Sequence, residues 1–101
     1  MKIALLQCDH IPKHVQHHLG GDYNDVFKSN LESILDDFEY DVFDVTKEEY
    51  PLIISAYDVF FISGSISSVY DDRPWIHKLK AFVLEIYQAK IKLIGICLIF
   101  A

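Results

Sequence analysis

Four short apolar runs alternate along this 101-residue chain with two longer stretches of helical periodicity, and that alternation restricts the fold more than any other feature. Lys2 to Gln7 is apolar nearly throughout and is stopped by Cys8-Asp9-His10-Ile11-Pro12, as expected of a strand buried on both faces and ended by a loop. From Tyr23 to Phe38 the residues Val26, Phe27, Leu31, Ile34, Leu35 and Phe38 recur at three- and four-residue steps, which predicts a helix with one buried face. Asp22 is its expected N-cap, with Asp25 three residues on as an imperfect capping box. Tyr40 to Val45 mixes aromatic and aliphatic residues with Asp41 and Asp44, the pattern of a charged edge strand. Lys47 to Ser55 contains Pro51 and is compatible with a single helical turn. Val59 to Ile62 reads as strand three, running into the small-residue loop Ser63-Gly64-Ser65-Ile66-Ser67-Ser68. Pro74 suits the first turn of a second long helix, whose apolar face is Trp75, Ile76, Leu79, Phe82, Val83 and Ile86. Ile91 to Cys97 is strand four.

Strands alternating with helices predict a three-layer α/β fold, a parallel sheet with right-handed crossovers. The simplest order is the flavodoxin-like 2-1-3-4, read as one domain over residues 1–101 that is truncated after its fourth core strand. The composition agrees: 51% hydrophobic residues, with seven Phe and six Tyr, is the profile of a chain that folds. A net charge of −6 argues against the basic surface that nucleic acid requires. The opening apolar stretch is too short for a secretory signal, so a cytoplasmic location is expected. The longest uncharged apolar stretch, Leu93 to Ala101, falls far short of the ~20 residues of a membrane helix, so no membrane contact is expected.

In a sheet of this order, ligands sit beyond the carboxyl ends of the strands near the switch point. That places Cys8-Asp9-His10, Ser63-Gly64-Ser65 and Gly95-Ile96-Cys97-Leu98 together. A cysteine at a sharp turn between strand and helix is exposed, and a helix N-terminus lowers its pKa. Gly95-Ile96-Cys97-Leu98 fits the first half of such an elbow, although Ile99 stands where a glycine is usual. Taken alone, Cys97 reads more readily as inert core, since buried cysteine is common. Ser63-Gly64-Ser65 could present backbone N–H groups to a developing oxyanion, but such residues also favour an ordinary turn.

Phe61-Ile62-Ser63-Gly64-Ser65-Ile66-Ser67-Ser68-Val69-Tyr70-Asp71-Asp72-Arg73-Pro74-Trp75-Ile76, followed by Leu93-Ile94-Gly95-Ile96-Cys97-Leu98, resembles the oxyanion-strand and nucleophile-elbow blocks of class I glutamine amidotransferase-like proteins. The opening Lys2 to Asp9 and the segment Gly21-Asp22-Tyr23-Asn24-Asp25-Val26-Phe27 are also similar to that family, particularly its stand-alone members, so the resemblance runs up to Leu98. It implies Cys97 as the nucleophile that attacks the glutamine carboxamide, releasing ammonia through a γ-glutamyl thioester. It further implies Ser65 and Leu98 N–H groups as the oxyanion hole, Ser63 and Gly64 as the substrate loop, and glutamine or a γ-glutamyl compound as substrate, without cofactor or metal. The family continues with Gly-His-Gln and later supplies a His-x-Glu pair. Here Ile99-Phe100-Ala101 follows the elbow and no His is followed two positions on by Glu, so the chain alone is expected to be inactive. The stand-alone branch also includes γ-glutamyl peptidases, which keeps that hydrolysis open as an alternative.

Rival signals are weaker. His14 and His18 stand four apart among His10, His14, His17 and His18, but no Cys, Asp or Glu completes a ligand set, and a solvated loop is the preferred reading. Cys8 and Cys97 would end strands separated by strand three, roughly 10 Å apart at ~4.8 Å per strand and beyond disulfide reach, with Cys8 assigned to packing. Asp71-Asp72 suits a helix N-terminus by charge alone. A non-catalytic interaction module is the other reading, because strand four would expose an apolar edge open to a synthase partner or to self-association.

Overall fold

The computed structural model describes residues 1–8, 13–19, 21–63 and 73–96. Along the chain come β1 (Lys2–Gln7), α1 (Lys13–Leu19), α2 (Tyr23–Ile34), β2 (Glu39–Asp44), two short 3-10 turns (Val45–Lys47 and Ile54–Ala56), β3 (Val59–Ser63), α3 (Pro74–Gln88) and β4 (Lys92–Ile96). The four strands form one parallel sheet in the order β2-β1-β3-β4, as expected.

β1 is paired on both sides, which explains its unbroken apolar sequence: Ile3, Ala4, Leu5 and Leu6 are all buried. Alternation then divides its side chains between two cores. Ile3 and Leu5 meet Phe27 and Leu31 of α2 together with Val59, and Leu35, Phe38, Tyr40 and Phe61 pack against this group. Ala4, Leu6 and Cys8 point the other way, into a cluster with Val45, Tyr57, Phe60 and the α3 residues Phe82 and Ile86. The sheet therefore lies between α2 and α3. Phe60 is fully buried at the centre of the second core, its ring 5.3 Å from that of Tyr57 and 5.8 Å from that of Phe82.

The ends of the helices show how local chemistry sets the boundaries. Asp25 Oδ2 accepts the N–H of Asp22 at 3.1 Å, the returning half of a capping box with aspartate in place of glutamate. Gly21, at φ +135°, lets that carboxylate in: a Cβ there would lie 2.5 Å from Asp25 Oδ2. α2 is shorter than its periodicity predicts. It ends at Ile34, whose side chain is exposed rather than buried, and Asp36-Asp37 follow where the helix dipole disfavours carboxylates. Leu35 and Phe38 still reach the core from outside the helix. α3 begins at Pro74 as expected and closes through Lys90 at φ 61°, with the Ile91 N–H bonded to the Ile86 carbonyl at 3.2 Å. That closure allows the three-residue passage, Ala89 to Ile91, from helix to β4.

α1 corrects the expectation of a loop between the first strand and the first long helix. β2 is an edge of the sheet, as its charges suggested. No described helix is long and apolar enough to cross a membrane.

Candidate functional site

The carboxyl ends of β1, β3 and β4 come together because the three strands are parallel neighbours with their ends level. Leu6 stands beside Ile62 in the β1–β3 register, and Ile62 and Ser63 stand beside Gly95 and Ile96 in the β3–β4 register. Cys8, Ser63 and Ile96 thus close one end of the sheet, at the switch point where the chain leaves β1 in one direction and β3 in the other.

Among the sequence-predicted site residues, Ser63 belongs to the described part. It is buried, and its Oγ accepts the Cys8 N–H at 2.9 Å. The bond ties the last residue of β3 to the residue just after β1. Gly64, Ser65, Cys97 and Leu98 lie outside the described residues, as do His10, Asp71 and Asp72. Cys97 follows Ile96, the last residue of β4, in the sequence.

Cys8 itself points into the α3-side core. It is 4% exposed, and its thiol donates to the Leu6 carbonyl at a sulfur–oxygen distance of 3.8 Å. That is the packing role assigned to it. Tyr50 comes near from the turn after β2. Its ring lies 4.6 Å from Phe82 and beneath the Lys78 ammonium, and its hydroxyl is buried with no hydrogen-bond partner among the described residues. Burial, with the neighbouring Cys8 and Glu48 charges adding to it, pushes the Tyr50 pKa up to about 12.

On the opposite face, Gln7 anchors a polar relay that composition did not reveal. Asn24 Nδ2 donates to Gln7 Oε1 at 2.9 Å, and the Tyr40 hydroxyl donates to the Asn24 carbonyl at 3.2 Å. Burial, reinforced by Asp25, raises the Tyr40 pKa far above its ordinary value, so the phenol remains a donor. The relay connects the start of α2 with the carboxyl end of β1 and the beginning of β2. Gln7 and Cys8, adjacent in sequence, therefore hold α2 through a side chain and Ser63 through a backbone N–H. The signal available beforehand was only the position of Gln7 at the end of a buried strand, where a polar side chain needs a partner.

The described residues contain no group of three or more His, Cys, Asp and Glu that could hold a metal ion. Chemically, the arrangement offers a strand-end platform with one buried hydroxyl already engaged by a backbone N–H.

Among curated proteins, the chain is similar to Gamma-glutamyl peptidase 5 of Arabidopsis thaliana, with 35% identity over 79 residues, covering 76% of this chain and 31% of that protein. The chain therefore spans about a third of the length of the curated relative it matches. No family model matches the chain. No solved structure matches it either.

Proposed function

We propose that this chain carries the nucleophile and oxyanion portion of a class I glutamine amidotransferase-like hydrolase, acting on γ-glutamyl compounds. The observation that carries the reading is the 35% identity to a γ-glutamyl peptidase along a stretch equal to 76% of the chain. The parallel 2-1-3-4 sheet supports it, since in this order the ends of β1, β3 and β4 lie side by side.

In this reading Cys97 is the nucleophile. Its thiolate attacks the γ-carbonyl carbon of the substrate, forming a carbon–sulfur bond while the carbonyl π electrons move to oxygen. The N–H groups of Ser65 and Leu98 stabilise that oxyanion, and collapse expels the amine with a proton to leave the γ-glutamyl thioester. Water then cleaves the thioester and returns the thiol. Ser63 and Gly64 set the path of the substrate loop, with Ser63 held by the Cys8 N–H. The amine released is ammonia from glutamine or an amino compound from a γ-glutamyl peptide. The name of the Arabidopsis relative, a γ-glutamyl peptidase, favours the peptide.

Proton transfer in both steps needs a base. No His in this sequence is followed two positions on by Glu, so these 101 residues alone are inactive in this account. Reading the DNA downstream of the Leu98 codon in all three frames tests it. Codons for Gly-His-Gln and a later His-x-Glu in any frame support the assignment, and their absence from all three counts against it.

A further inference from the structure

We draw no further inference here: the strongest candidate, the groove between α3 and the turn after β2 that is lined by Tyr50, Pro51, Leu52, Lys78, Phe82 and Glu85, carries none, because nothing in the structure shows what covers it.

Discussion

The backbone N–H of Cys8 donates to the side-chain oxygen of Ser63 across 2.9 Å, linking two residues 55 positions apart at the end of the sheet where the candidate site is built. Replacing Ser63 by Ala removes a buried acceptor without adding volume. We expect a loss of about 1 kcal/mol, in the range of a single intramolecular hydrogen bond. Urea unfolding followed by circular dichroism measures it, and an unchanged midpoint would mean that the bond contributes nothing to the fold.

Phe60 is a harsher test because it touches both Tyr57 and Phe82 in the α3-side core. Phe60→Ala should cost about 3–5 kcal/mol, close to the whole stability of a small domain. The expected result is a chain with its far-UV signal weakened and its near-UV signal lost. A cooperative unfolding transition within about 1 kcal/mol of the parent would show that this core is not where the stability resides.

Tyr50 leads to the opposite expectation. Its hydroxyl is buried with no hydrogen-bond partner among the described residues, so Tyr50→Phe relieves a desolvated polar group while keeping the ring against Phe82. Stability should stay level or rise by up to about 1 kcal/mol. A clear loss would reveal a partner for the hydroxyl.

High pH should unfold the chain through its tyrosines. Burial first, then the hydrogen bond to Asp41, raises Tyr57 from 10.0 to about 12, and burial raises Tyr50 to about 12. Between those values the unfolded phenols lose protons that the folded ones keep, so the unfolded state binds fewer protons and stability falls as pH rises. It should be level with respect to these groups below pH 10 and decline from there to about 12. Denaturant midpoints across that window measure the slope, and Tyr57→Phe should flatten it. A midpoint that rose with pH would contradict the sign.

How far the sequence foretold these features depended on whether the cause was local or distant. β1 was legible because the interior of a central strand, Ile3 to Leu6, is apolar without a break, and Pro74 marked the start of α3. α1 was not, because the polar, histidine-rich stretch Lys13–Leu19 offers only Val15 and Leu19 as apolar positions and so lacks a full stripe. The end of α2 was misplaced because Leu35 and Phe38 keep the helical spacing while packing from irregular chain; the Asp36-Asp37 pair was the overlooked stop signal. Ser63 could be picked out as part of a small-residue loop, but its bond to Cys8 depends on the β1–β3 pairing and has no local signature. The Gln7–Asn24–Tyr40 relay was invisible for the same reason.

The central claim is tested most directly by a chimaera in which this chain replaces the matching segment of Gamma-glutamyl peptidase 5, assayed for hydrolysis of a γ-glutamyl dipeptide beside the 101-residue chain alone. The account predicts a folded chimaera that releases glutamate, loses that activity at least about a thousandfold on Cys97→Ala, and contrasts with a silent isolated chain. A folded chimaera that is inactive, or one that works equally well with alanine at position 97, would contradict it.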